Sequence, residues 1–347
     1  MAGIKDLARE CGVSVATVSR ALNGHPEVSV ETRRQIQQAA ERLGYRPSQS
    51  ARALVRGRSD AVGLLWDSGY ESAGRRHPFL LSLLVGLKQA LNDVGRHLIL
   101  LNVDVDRQGP RAYLDTARQF QLDGVIVMGV DDHRPALHEL VESGLPCVAI
   151  DHDIAGPRAG CVTSDNRTGA VEAVRHLHAL GHSRIATITG PPDLMPAARR
   201  VEGFRQAVGE LGLDLPDQFV QNGDFFMDSG YACGKRLAKL PKSRRPTAVF
   251  VAGDEMALGA MHAFADAGLD VPADIAVVGF DDIEAAGLVR PTLTTVAQDS
   301  PALAAAAVTA LLDFVDNAPG DEPAPAPEGP ILTPTRLVIR QSCGGGR

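Results

Sequence analysis

Apolar residues recur along this chain at two spacings, and each spacing predicts a different kind of element. Near the N-terminus Ile4, Leu7, Ala8 and Cys11 stand at i, i+3, i+4 and i+7, one stripe of a short helix. Gly12 permits a sharp turn and Ser14 supplies an N-cap. A second helix then starts at about Val15, with Val18, Ala21 and Leu22 turned inward. Val15, Ala16, Ser19 and Arg20 are left on its outer face. Asn23-Gly24-His25-Pro26 ends this helix, and Ser29 caps a third whose Ile36, Ala39, Ala40 and Leu43 repeat the helical spacing up to Gly44. The pattern predicts a three-helix unit whose first two helices meet at an angle, as in a helix-turn-helix. Taken alone it also fits two helices that merely pack.

A short segment follows in which Pro47 ends what precedes it and Ser48 can cap a helix of about two turns, marginal by itself in water. On spacing alone this is equally a solvated linker carrying an apolar residue, Leu54. From Ala61 the spacing changes. Ala61 to Trp66, His97 to Leu101, Gly124 to Met128 and Cys147 to Ile150 are apolar runs, as strands buried on both faces must be, with amphipathic segments such as Leu80 to Val94 between them. The pattern restarts with strands at 184–189, 248–252 and 275–280, separated by helices near 166–180, 198–211, 229–240 and 255–267. Two doubly wound parallel α/β lobes are predicted. The chain is expected to cross between them near Gly160–Ser164, near Val289–Leu293, and in the Pro/Ala-rich stretch Ala318–Pro330. The helix at 302–314 would return to the first lobe and Leu337–Ile339 would end in the second. The predicted spans are a head over 1–46, a linker over 47–58, a first lobe over 59–162 and 292–320, and a second over 163–291 and 321–342.

Length agrees: 347 residues less a head of about 58 is too much for one ordinary core and suits two lobes. Hydrophobic content of 44% and charged content of 22% are those of a globular protein. Charge separates the parts. Up to Arg58 there are ten Lys and Arg against five Asp and Glu, leaving twenty-five against thirty-seven for the remainder. A head of +5 on a body of −12 suits a polyanionic partner for the head alone. No apolar run approaches the roughly 18 residues of a membrane span, and no hydrophobic core of a signal peptide opens the chain, so a cytoplasmic protein is expected. Cys11, Cys147, Cys161, Cys233 and Cys343 are odd in number and lack CxxC spacing, which points to reduced thiols.

Enzyme chemistry lacks its motifs: there is no GxSxG, HExxH or GxxxxGK[ST]. Thr189-Gly190-Pro191-Pro192 lacks the further glycines of a dinucleotide fingerprint. His176, His178 and His182 cluster in sequence, but Gly181 ends the helix between them and no carboxylate completes a zinc set. No metal, cofactor or catalytic residue is expected.

The segment IKDLARECGVSVATVSRALNGHPEVSVETRRQIQQAAERLGYRPSQSARAL resembles, almost position for position, the head of the LacI/GalR family of bacterial transcriptional regulators. The likeness runs from residue 4 to about 342. It implies a helix-turn-helix head plus hinge helix, joined to a two-lobed α/β body of the periplasmic-binding-protein type. By this resemblance Val15, Ala16 and Arg20 read base edges and Thr17 and Ser19 touch phosphate, with Ser14, Asn23 and Arg52 completing the DNA-facing set. Leu54 holds the position of the hinge leucine that enters the minor groove. The resemblance implies a homodimer on a palindromic operator, probed by a small effector, typically a sugar or glycoside, and acting as a repressor; whether the effector releases or promotes DNA binding stays open. A soluble sugar-binding receptor is the alternative of another class, against which the basic head argues.

In open α/β sheets ligands bind at the carboxyl ends of strands. Trp66, Asp67, Gly129, Asp151, Gly190, Gly253, Asp254 and Asp281 qualify by position. The resemblance adds Arg200 in ARRVEGF, Phe225 in GDFFMDSGY and Phe79 in the Pro-Phe pair, and supports Asp281 in VGFDD and Asp151 in VAIDHD. Arg200 and Asp281 can also be read as an ion pair that closes the lobes. The chain departs from the family pattern in having Gly253 where an asparagine is frequent, and in a long loop over 67–76.

Overall fold

The computed structural model describes residues 3–22, 25–45, 58–67, 78–129, 134–317 and 329–345. It divides into two units, Met1–Ala61 with Gln121–Asp123, and Val62–Phe120 with Gly124–Arg347. The first holds α1 (Ile4–Cys11), α2 (Val15–Leu22) and α3 (Val30–Arg42). Gly12 ends α1 at φ 65°, a left-handed conformation that glycine takes without strain. Ser14 Oγ accepts from Thr17 N at 3.0 Å and Ser29 Oγ from Thr32 N at 3.1 Å, so both expected caps form. Leu7, Ala8, Val18, Ala21, Val28, Ile36, Ala39 and Ala40 make the core between the three helices. The linker at 46–57, with Arg52 and Leu54, lies outside the described residues, as does Asn23.

The second unit contains two six-stranded sheets. In the first lobe β1 (Ala61–Asp67), α4 (Pro78–Asp93), β2 (His97–Val103), α5 (Val105–Gln108), α6 (Ala112–Gln119), β3 (Gly124–Met128), α7 (Arg134–Glu142), β4 (Cys147–Ile150) and β5 (Ala159–Ser164) follow in order. In the second come α8 (Asn166–Ala179), β6 (Ile185–Thr189), α9 (Met195–Glu210), β7 (Val220–Asn222), α10 (Met227–Ala238), β8 (Ala248–Val251), α11 (Asp254–Asp266), β9 (Ala276–Asp281), α12 (Glu284–Leu288) and β10 (Thr294–Gln298). The chain closes with α13 (Ser300–Asp316), β11 (Ile331–Thr333) and β12 (Thr335–Val338). The sheet orders are β11-β5-β4-β3-β1-β2 and β12-β10-β9-β8-β6-β7. β1, β3, β4, β5 and β11 pair in parallel, as do β7, β6, β8, β9 and β10, while β12 is antiparallel to β10.

Alternation along each strand builds a core on both faces of the second sheet. Val249 and Val251 join one cluster with Phe264 and Met256, whereas Ala248 and Phe250 join the other with Phe204 and Phe280. β3, β4 and β5 are buried throughout. β2 departs from its expectation: it lies at the sheet edge, and only Leu101 and Val103 are buried.

The lobe boundaries differ from the expected ones. β10 pairs with β9 and so belongs to the second sheet, not to the first lobe beginning at 292. β11 pairs with β5 and belongs to the first sheet, not to the second lobe beginning at 321. The chain therefore crosses at 164–165, at 298–300 and at Thr333–Thr335. The later two crossings moved because β10 and β11 are short and partly polar, so only their hydrogen-bonding partners assign them. Residues 318–328 lie outside the described set.

Candidate functional site

α2 presents Val15, Ala16 and Arg20 to solvent, with Val15 41% exposed, while Val18 and Ala21 are buried beneath. Ser14 is spent in part on the cap, and its hydroxyl also meets Thr17 Oγ1 at 2.8 Å. Arg20 lies 3.6 Å from the Glu27 carboxylate, both side chains being more than half exposed, a pairing worth little in water. Arg20 is thus available to a stronger acceptor. The helix surface joins small apolar residues and one guanidinium, chemistry that suits a thymine methyl and a guanine edge in the major groove.

In the second unit the carboxyl ends of β3, β4 and β9 and the start of α4 face the start of α9 across a cavity of about 90 Å³. Phe79, Asp151, Arg200, Phe225 and Asp281 line it, joined by Gln298, His152 and Leu194, which the sequence did not single out. Gln298 ends β10, a strand invisible to hydrophobic patterning, and that strand-end position is the signal that could have found it. The cleft widens into an outer part lined by His138, Asp153, Asp193, Arg199 and Glu202, which shares His152 and Leu194 with the inner cavity.

Backbone conformation marks the same residues. Asp151, Phe225 and Asp281 have φ of 62°, 72° and 120°. Non-glycine residues in such conformations cost about 1–3 kcal/mol and persist where the surroundings overdetermine them. Phe225 also needs space. A Cβ on Gly190 would lie 2.3 Å from its ring and one on Gly253 3.1 Å from it. Gly253, the departure from the family pattern, is therefore the floor on which Phe225 rests.

Arg200 is buried and held by its neighbours. Its Nε donates to Asn166 Oδ1 at 2.8 Å, and its Nη1 donates to Ala252 O at 2.6 Å and to Asp281 Oδ1 at 3.4 Å. The Phe280 ring lies 3.8 Å from the guanidinium and Phe225 5.7 Å. Because α9 and β9 belong to the same lobe, the Arg200–Asp281 pair does not close the two lobes on each other. Thr163 donates to Asp151 at 2.5 Å and Gln298 Nε2 donates to Asp281 at 2.7 Å.

Two expected residues are placed elsewhere. Asp254 is fully buried and is not among the residues that line the cavity; it accepts from Ile283 N at 3.0 Å and Thr295 Oγ1 at 2.6 Å and so ties β10 and α12 together. Trp66 does not line the cavity but adjoins it, its Nε1 3.1 Å from where a Cβ on Gly129 would stand. Asp67 closes β1. The three histidines each find a separate partner: His176 lies 3.3 Å from Cys343 Sγ, His178 3.3 Å from His182 O, and His182 3.1 Å from Thr247 Oγ1. Among the described residues no helix is long and apolar enough to cross a membrane.

Burial pushes three carboxyls up. Asp151 is raised by burial against the opposing Thr163 hydrogen bond; Asp254 is raised well above its ordinary range by burial and by Asp281. Asp281 is raised from 3.8 to about 6 by burial, with Arg200 opposing. A carboxyl raised in the folded state binds its proton more tightly there than in the unfolded chain. Its contribution to stability therefore falls as pH rises from 3.8 to about 6 and is level above. Asp281→Asn is expected to flatten the pH profile of the melting temperature across that window. An unchanged slope would show that Asp281 titrates alike in both states.

The chain matches the family model for bacterial regulatory proteins of the lacI family over residues 3–48 and that for a periplasmic binding protein-like domain over residues 174–343. The ribose operon repressor of Escherichia coli K12 is 34% identical, over 90% of this chain and 92% of the relative. Catabolite control protein A of Priestia megaterium is 33% identical over 98% of each chain. The solved structure of the Lac repressor dimer bound to operator and the anti-inducer ONPF aligns over 99% of both chains, with a TM-score of 0.84 and 28% identity.

Proposed function

The chain belongs to the lacI family of bacterial regulatory proteins, and on that premise we propose that it is a sequence-specific transcriptional repressor of carbohydrate-utilisation genes, controlled by a sugar or glycoside held between its lobes. Members of the family are DNA-binding regulators, not enzymes. One observation carries the proposal: a capped helix with exposed Val15, Ala16 and Arg20 shares a chain with a cavity built from conformationally constrained strand ends. The protein acts in the cytoplasm, where its DNA is. A single recognition helix reads few bases, so a homodimer on a palindromic operator supplies the second half-site, as in the Lac repressor dimer on operator.

The head spans 1–46 and the hinge segment 47–58. The sheet pairings support lobes over 59–164 with 300–333 and over 165–299 with 334–342. Val15, Ala16 and Arg20 contact base edges, Ser14, Thr17 and Ser19 the backbone; Asn23, Arg52 and Leu54, outside the described residues, complete the set. Phe79, Asp151, Arg200, Phe225 and Asp281 bind the effector, with Gln298 added and Asp254 removed. Three chain crossings leave the lobes an adjustable angle, and a ligand that biases it by about 1–3 kcal/mol changes operator affinity 5- to 150-fold.

Arg20→Ala is expected to cost about 1–3 kcal/mol on the cognate operator and far less on random DNA. Competition binding of the full chain checks this, and equal losses on both DNAs would remove Arg20 from base readout. Trp66, the single tryptophan, sits beside Gly129 at the cavity, so a cognate sugar is expected to change its fluorescence saturably. A change that follows concentration without saturating would place the sugar outside the cleft.

A further inference from the structure

The polar groups at the cavity decide what charge its occupant carries. The carboxylates of Asp151 and Asp281 line it, and so does the side chain of Gln298. Gln298 is 8% exposed; its Nε2 is spent on Asp281, and its buried Oε1 has no partner among the described residues. A carbonyl oxygen buried without a donor is unfavourable, so an occupant that donates a hydrogen bond there is selected. All three of these groups accept.

Arg200 is the one arginine or lysine among the described residues lining the cavity, and its charge is already matched. Its Nε and Nη1 are held by Asn166, Ala252 and Asp281, and Phe280 covers its face. Three buried or partly buried carboxyls stand around it, those of Asp151, Asp254 and Asp281, and half-buried His152 adds an imidazole at the rim. We infer that the inner cavity admits only uncharged, hydroxyl-donating groups, such as those of a neutral sugar or glycoside, and rejects the anionic group of phosphorylated sugars, sugar acids and other small anions. The inference rests on the cleft being the effector site, and narrows its ligand class. An anion in the inner cavity would meet Asp151 and Asp281 in a poorly screened space where the one arginine among the described lining residues is already paired with Asp281, whereas hydroxyls meet acceptors.

The test titrates the full chain, at constant ionic strength, with matched pairs: glucose and galactose against their uronates and 6-phosphates, ribose against ribose 5-phosphate, cellobiose, and inorganic phosphate. Melting temperature and Trp66 fluorescence are read together, on the wild type, Asp281→Asn, Gln298→Leu and Arg200→Ala. The uncharged member of the responding pair is expected to bind at least about a hundredfold more tightly than its anion, the size of discrimination that juxtaposed like charges impose. Gln298→Leu is expected to weaken it. Asp281→Asn, which releases Arg200 from its carboxylate, is expected to create a saturable phosphate response that the wild type lacks, an outcome that needs no knowledge of the cognate sugar. A wild-type anion response that equals or exceeds that of its neutral partner and disappears in Arg200→Ala overturns the inference while leaving the cleft as the effector site. A neutral ligand whose saturation survives both Arg200→Ala and Gln298→Leu binds elsewhere. That result defeats the cleft assignment, and the charge rule with it.

Discussion

Arg200→Ala is expected to abolish the effector response and to destabilise the body by about 3–5 kcal/mol, the cost of removing one member of a buried charged network. The loss has two parts. Asn166 Oδ1 and Ala252 O lose the donors that hold them, and Asp281 loses the cation that keeps its carboxyl from rising further. The double variant Arg200→Ala/Asp281→Asn separates the parts. With the carboxylate gone, much of the stability is expected to return, while effector binding is not. Melting temperature and sugar titration on the same samples read both. A single variant that melts like the wild type would show that the guanidinium is not the centre of this network.

Leu7→Ala is expected to unfold the head and end operator binding. Leu7 is fully buried in a core of eight buried residues among those described, so the unit has little apolar surface in reserve. Truncating a buried leucine costs about 2–5 kcal/mol, comparable to the whole stability of so small a unit. The body has separate cores, so its effector response is expected to survive. Hydrogen exchange over residues 3–45 alongside operator binding tests both halves. Full protection of the head in the variant would show that support from outside its own core sustains it.

Phe225 accounts for the glycine at 253, one of the two places where the chain departs from the family pattern. Its φ of 72° directs the ring over Gly190 and Gly253, and a side chain at either position would press on the ring. An asparagine at 253 would have to contend with Phe225 for the same space.

Local patterning alone determined the head: the stripe Ile4–Leu7–Ala8–Cys11, the caps at Ser14 and Ser29 and the stops at Gly12 and Gly44 act within one or two helical turns, so their physics is written in neighbouring residues. The buried strands β3 and β4 were equally legible, because a strand covered on both faces must be apolar at every position. Arg200, Phe225, Asp151 and Asp281, which line the cavity, were singled out through a motif or a strand-end position. What sequence could not carry is which strand pairs with which. β10 and β11 are short and partly polar, and only hydrogen bonds to β9 and β5, from distant parts of the chain, assign them to opposite lobes. The β10–β9 pairing places Gln298 beside Asp281 at the cavity and Thr295 against Asp254. Each of these outcomes depends on contacts between residues far apart in sequence, which periodicity does not encode.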